Sequence, residues 1–200
     1  MAMTESRSDA VSLCALGALS GAVAWGLISL AGAISKQLVW SFFDGAIELS
    51  PVSLLPGLVF GLIIGALLRR HGKISPSAHV WYAIASGFAY FCAFHVAART
   101  FLNLPHAFGT LADTVLSGIL AGLVGSLLLG LIAMRLLEVP GRLLLERPLF
   151  VGSTAGALLG LTERDNTQWG WTFLAFFVLW QAAYAMSLAP LLRAPSGSRR

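Results

Sequence analysis

The chain has 200 residues, of which 57% are hydrophobic and only 11% are charged. Soluble domains carry about 25% charged residues, so this chain has too few charges to cover a soluble surface, and one membrane domain takes up the whole length. The net charge of +4 does not indicate a nucleic-acid partner, because the basic residues flank hydrophobic segments. The composition therefore predicts an integral membrane protein and leaves no room for a separate soluble catalytic module.

Six apolar segments predict an all-α, polytopic transmembrane helix bundle. A backbone in hydrocarbon has no water to bond with, so each segment must satisfy its polar groups as a helix. A helix needs about 20 residues to cross ~30 Å of hydrocarbon, and the second and fifth segments are shorter than the others. The predicted spans, within one membrane domain at 1–195, are 11–34, 52–68, 78–98, 111–134, 148–163 and 171–190. The remaining basic tail, 196–200, is predicted to be disordered.

The distribution of basic residues predicts the orientation. With the N-terminus in the cytoplasm, ten basic residues face inside and only three, Lys36, Arg99 and Arg164, face outside. The loops are short, which is the regime in which this bias sets topology. Trp81 and Tyr82 open the third span from the inner side, as interfacial aromatic rings do. We therefore expect six crossings with both termini cytoplasmic in the cell inner membrane, and the arginine-rich, lysine-poor basic set favours a bacterial source.

Residues 36–49, between the first two spans, predict an interfacial helix. The segment is too short to cross the bilayer, and Asp44 and Glu48 fall in one narrow polar stripe at 100° per residue. An aspartate at the bilayer centre costs about 2.5–3.5 kcal/mol, so this stripe should face water or protein. We expect the segment to lie as a helix on the outer leaflet.

Glycines recur at four-residue spacing on several spans. The second span carries Gly57, Gly61 and Gly65, and the fifth carries Gly152, Gly156 and Gly160. Two three-span halves, 11–98 and 111–190, would place these ladders at equivalent positions of a 3+3 inverted repeat. Short, glycine-interrupted segments so placed indicate the central site of a transporter. Close helix packing is the alternative explanation, since small residues let backbones approach each other in lipid.

Neutral polar side chains occupy the middle of the third and sixth spans: Ser86, Tyr90, Gln181 and Tyr184. No Asp, Glu, Lys or Arg lies near the middle of any predicted span, so a proton relay or a deep site for a charged substrate lacks its usual parts. The four side chains are candidates to line a central cavity for a small polar solute. Alternatively, they bond helix to helix, at about 0.6–2 kcal/mol each.

Ionisable residues collect on the predicted outer face. The candidate outer polar cluster comprises Asp44, Glu48, His95 and Asp113. Imidazoles and carboxylates are metal ligands, but the separation between His95 and His106 matches no compact ligand motif. We therefore expect an ordinary wetted surface, with no metal and no cofactor.

No catalytic site is predicted. Ser153 lies between Gly152 and Gly156, but no histidine occurs after His106 to activate it, and a hydroxyl without a base is a poor nucleophile. The sequence favours a small-solute transporter, or the membrane subunit of one, and the alternative is a non-catalytic membrane scaffold or assembly protein. The expected partners are the lipid bilayer and either further copies of the chain or other membrane subunits.

Overall fold

The computed structural model describes residues 2–34, 51–103, 110–137, 141–162 and 169–193, and every regular element in that part of the chain is a helix. The elements are α1 (Ala2–Ile34), a 3-10 turn (Pro51–Leu54), α2 (Leu55–Arg70), α3 (Pro76–Asn103), α4 (Thr110–Leu137), α5 (Gly141–Thr162), α6 (Trp169–Ser187) and α7 (Ala189–Arg193). The all-α prediction is confirmed. The predicted interfacial helix at 36–49 and the basic tail at 196–200 lie outside the described residues.

Three helices among the described residues are long and apolar enough to cross a membrane by themselves. The apolar stretches are Asp9–Ala31, Pro76–Ala97 and Leu111–Leu136, and a shorter one covers Phe177–Leu192. These three helices are consistent with the prediction of a membrane protein. Length and composition identify three such helices rather than six. Helix α2 has only 16 residues, the first turns of α5 carry Arg142, Glu146 and Arg147, and the apolar stretch described in α6 and α7, Phe177–Leu192, is shorter than 18 residues.

The helices close into a ring. Each of α1 to α6 packs against the next in the chain, and α6 packs along α1 to complete the circuit. Neighbouring helices run antiparallel: Gly17 of α1 lies against Ala185 of α6, whereas Gly21, one turn later, lies against Phe177. At one end of the ring, apolar side chains from α1, α2, α3, α4, α6 and α7 form a common buried cluster. We call this the basic end, because Arg69, Arg70, Lys73 and Arg135 lie beyond that cluster.

Three of the antiparallel pairs meet along glycine seams. On α2, a Cβ atom at Gly57, Gly61 or Gly65 would lie under 3.0 Å from atoms of α3. On α1, a Cβ atom at Gly17 or Gly21 would likewise lie under 3.0 Å from atoms of α6. The α4–α5 seam brings backbone against backbone, since Gly122 faces the carbonyl of Gly152, and Gly156 faces the carbonyl of Gly118. Because a side chain at these positions would force the neighbouring helix to shift, or at Gly65 the imidazole of His79 to move, the seams fix the distance and register of each pair.

The two predicted ladders pack on different neighbours. The α2 ladder faces α3, the next helix in the chain, whereas Gly152 and Gly156 of α5 face α4, the preceding helix. Gly160 lies in α5 outside the residues whose packing is described. In an inverted repeat, equivalent ladders would face equivalent neighbours, so the ladders give the 3+3 repeat no support, and the repeat stays a prediction.

We predict that Gly156→Ala destabilises the protein by about 1–3 kcal/mol, as overpacking of a close contact does, although alanine is the better helix former by about 1 kcal/mol. The matched control is Gly26→Ala on α1, where an added Cβ meets nothing within 4 Å. The measurement is reversible unfolding of the detergent-solubilised protein in a denaturing detergent. Equal stability of the two variants would contradict the close backbone contact between α4 and α5 at Gly156.

Candidate functional site

A polar group shared by three helices lies at the middle of the bundle. It consists of the Ser20 hydroxyl on α1, the Gln181 amide on α6 and the backbone carbonyl of Pro56 at the start of α2, and we call it the polar node. Ser20 lies eleven residues from each end of the apolar stretch Asp9–Ala31, so its depth is that of the bilayer centre. Ser20 and Gln181 are 0% and 1% exposed, respectively.

The hydrogen bonds of the node hold the three helices together. The Ser20 hydroxyl donates to Gln181 Oε1, and its Oγ atom also lies 2.8 Å from the carbonyl oxygen of Gly17. Gln181 Nε2 donates to the Pro56 carbonyl oxygen at 3.3 Å. A buried amide left without partners would cost about 1–3 kcal/mol, so the node favours one mutual placement of α1, α2 and α6.

Two further polar side chains adjoin the node through α2 and α3. Gly57, the residue after Pro56, lies against the backbone of Ser86, and Ser86 is fully buried. The Ser86 hydroxyl donates to the carbonyl oxygen of Tyr82 at 2.6 Å, within its own helix. Tyr82 itself is 1% exposed. The start of α2 therefore contacts the Gln181 amide of α6 through Pro56 and the backbone of Ser86 on α3 through Gly57.

Tyr184 lies one turn from Gln181 on α6 and is 1% exposed. Its ring packs edge to face against Phe60 of α2, with centroids 5.7 Å apart. Its hydroxyl has no hydrogen-bond partner among the described residues. The Tyr184 hydroxyl is thus a polar group in the core to which no described residue forms a hydrogen bond.

Tyr90, the fourth predicted cavity residue, belongs to an aromatic cluster between α3 and α6. Its ring centroid lies 5.4 Å from that of Trp180 and 5.9 Å from that of Phe177. Trp180 in turn lies 6.4 Å from Tyr184. The structure therefore brings the four predicted residues to one region of the core, with Ser86, Gln181 and Tyr184 packed inside and Tyr90 half-buried.

The outer polar cluster is described only in part, since Asp44 and Glu48 lie outside the described residues. Gly125 of α4 lies against Ala93 of α3. From that contact, His95 is two residues along α3, whereas Asp113 is twelve residues, about 18 Å, along α4. The structure thus separates His95 from Asp113, and it buries Asp113 at 0% exposed, so the expectation of a wetted surface is wrong for this residue. No group of three or more His, Cys, Asp or Glu side chains among the described residues is arranged to hold a metal ion.

Sequence reasoning missed Ser20 and misplaced Tyr82. Trp81 is 63% exposed, as expected of an interfacial ring, but the adjacent Tyr82 points into the core. The signal for Ser20 was its position between Gly17 and Gly21, on the same helix face as a small-residue contact. The Ser153 hydroxyl, also considered above, donates to the carbonyl oxygen of Leu149 at 2.7 Å.

The node and its surroundings are uncharged, and their chemistry is that of hydrogen bonding. The hydroxyls and the amide can donate to and accept from a neutral polar molecule, and the aromatic rings beside them offer an apolar wall. Comparison of the chain with protein families, with curated proteins and with solved structures gives no match.

We predict that Ser20→Ala and Gln181→Leu are coupled in stability by about 0.6–1.7 kcal/mol, the range measured for hydrogen bonds between membrane helices. A double-mutant cycle in detergent measures this coupling. Ser153→Ala is the control partner for Gln181→Leu, because its hydroxyl bonds within its own helix, and that pair should be additive. Additivity of the Ser20 pair would show that the bond between α1 and α6 does not form.

Proposed function

We propose that the protein is a six-span membrane protein of the inner membrane that binds a small neutral polar solute at the polar node and carries it across, alone or as the membrane subunit of a transporter. The observation that carries this proposal is the Tyr184 hydroxyl, buried beside the node with no partner among the described residues. Such a hydroxyl costs about 1–3 kcal/mol, and a solute that bonds to it would recover that free energy.

The neutrality of the site supports an uncharged solute. Ser20, Gln181, Tyr82 and Tyr184 supply donors and acceptors but no charge. A charged solute at this depth would need a counter-charge, and the predicted spans place none at their centres. Polyols, amides and small sugars fit this chemistry, since each exchanges several hydrogen bonds with water for hydrogen bonds with the protein.

The antiparallel seams support six crossings. Helix α5 lies against α4 through Gly156–Gly118 and Gly152–Gly122, so it occupies the same depth as a helix long enough to span. The 3-10 turn Pro51–Leu54 extends α2, and together they cover about 32 Å at the usual rises of ~2.0 and 1.5 Å per residue. The charged side chains at the start of α5 can reach the interface by extending along the helix.

We predict that cysteine labelling will place the ends of α5 on opposite sides of the membrane. In a chain with Cys14 and Cys92 replaced by serine, Gly141→Cys and Ser75→Cys should react with a membrane-impermeant maleimide only after permeabilisation. Asn103→Cys and Asn166→Cys should react in intact cells. Labelling of Gly141→Cys and Asn166→Cys from the same side would mean that α5 does not cross.

We predict that Tyr184→Phe preserves the fold and abolishes solute-dependent stabilisation. Without solute, the variant should be as stable as the parent protein or more stable, because it removes an unpaired hydroxyl. A solute at 100 times its Kd should stabilise the parent by about 2.7 kcal/mol. The measurement is thermal unfolding in the presence of glycerol, urea or a small sugar, each tested separately. Solute flux into proteoliposomes is the second readout. Ser153→Ala is the control and should behave like the parent.

The alternative function is a non-catalytic membrane scaffold or assembly protein, with other membrane subunits or further copies of the chain as partners. The observation that favours it is that Gln181 already bonds to Ser20 and to Pro56, as a purely structural glutamine does. A scaffold should co-purify with a partner and keep that partner after Gln181→Leu, with no solute effect on the parent protein. A transporter should lose solute flux after the same change.

A further inference from the structure

A cleft opens at the basic end of the bundle between α5 on one side and α1, α6 and α7 on the other. Its volume is about 700 Å³, and its walls are mostly apolar, with Phe150 and Val151 contributed by α5 and Ala183 and Met186 by α6. This volume lies within the range of ~300–1,000 Å³ that small-molecule sites occupy. Phe150 is 73% exposed and Met186 is 49% exposed, so these side chains border an opening rather than a closed core.

The cleft lies at the depth of a membrane interface. Ala10 of α1 lines it, and the apolar stretch of α1 begins one residue earlier, at Asp9. Glu146 and Arg147 of α5 line the same mouth. An occupant must therefore present an apolar part to the walls and a polar part to these charges, as an amphiphile at the bilayer surface does.

The charges at the mouth distinguish between lipid headgroups. Arg147 is exposed, so its guanidinium can reach a phosphate at the mouth of the cleft. Glu146 lies beside it in the sequence and brings an opposite charge. Among the described residues that line the mouth, one cation and one adjacent anion offer little net attraction to an anionic headgroup, but they complement a headgroup that carries a phosphate and an ammonium together.

We propose that this cleft binds one phospholipid with a zwitterionic, amine-bearing headgroup, such as phosphatidylethanolamine. Arg147 contacts the phosphate, Glu146 lies on the side of the ammonium, and one acyl chain lies along Phe150, Val151, Ala183 and Met186. The site requires the protein to be in a membrane and does not depend on the transport proposal, because Ala183 and Met186 lie on the partly exposed face of α6, whereas Gln181 and Tyr184 lie on its buried face.

The test is native mass spectrometry of the full chain in mild detergent, titrated with phosphatidylethanolamine or phosphatidylglycerol. We expect one tightly bound phosphatidylethanolamine and weaker binding of phosphatidylglycerol. Arg147→Gln should weaken binding about fivefold, since a cation near a lipid surface contributes about 1 kcal/mol. Arg135→Gln is the matched control, because Arg135 is an exposed arginine on α4 at the same end of the bundle, outside the cleft, and it should leave binding unchanged.

A second variant tests the apolar wall. Ala183→Leu adds bulk inside the cleft and should reduce binding of phosphatidylethanolamine without altering the charges, which also keeps the proposal testable if Arg147→Gln does not fold. Tighter binding of phosphatidylglycerol, equal effects of the Arg147 and Arg135 variants, unchanged binding by Ala183→Leu, or no bound lipid would each overturn the proposal. None of these outcomes bears on solute binding at Tyr184.

Discussion

The close approach of helix backbones along glycine seams is the constraint on which the rest of the structure depends. In lipid, apolar side chains gain little by leaving one apolar surface for another, so helices associate through packing and hydrogen bonds. The α1–α6 seam joins the first and last of the six ring helices, and Gly17 and Gly21 bring them close enough for Ser20 to reach Gln181. With large side chains at these glycines, the two helices would stand apart and the node would lose its central bond.

The polar node and the seams reinforce one another. Gln181 bonds to α1 through its side-chain oxygen and to α2 through its side-chain nitrogen. Both bonds form only when these two helices are correctly placed relative to α6. A glycine seam fixes the distance and the register of two helices. A buried hydrogen bond adds selectivity, because helix arrangements in which it does not form leave buried polar groups unpaired. Together they assign α2, the shortest of the six ring helices, a place beside both α1 and α6, with the uncharged site around its first turn.

The sequence was sufficient for the parts of this architecture that depend on one helix at a time. Long apolar runs identify helices, and glycine spacing identifies contact faces, as at Gly57 and Gly61. Partners were not predictable, because a glycine face does not specify which helix it meets, and the α2 and α5 ladders meet different ones. His95 was expected near the outer end of its span, and the apolar stretch of α3 does end close by, at Ala97, although the helix itself continues to Asn103.

The candidate site was likewise predictable where it depends on one helix and not where it depends on the packing of two. Ser86, Gln181 and Tyr184 stood out as polar residues in the middle of apolar spans, and all three are buried in one region of the core. Tyr82 was misplaced because closeness to the end of a span says nothing about the direction in which a side chain points. Ser20 became visible only when α6 supplied its partner.

Disulfide cross-linking between α1 and α6 in native membranes tests the ring and its seams most directly. A Cβ on Gly17 would lie 2.8 Å from the Cβ of Ala185, so a small outward shift gives disulfide geometry. With Cys14 and Cys92 replaced by serine, Gly17→Cys with Ala185→Cys should cross-link on oxidation and hold the two halves together after cleavage at 104–109. The pair Gly26→Cys with Ala185→Cys, displaced by about 13 Å along α1, should not. Failure of the first pair, or equal cross-linking of both, would contradict the packing described here.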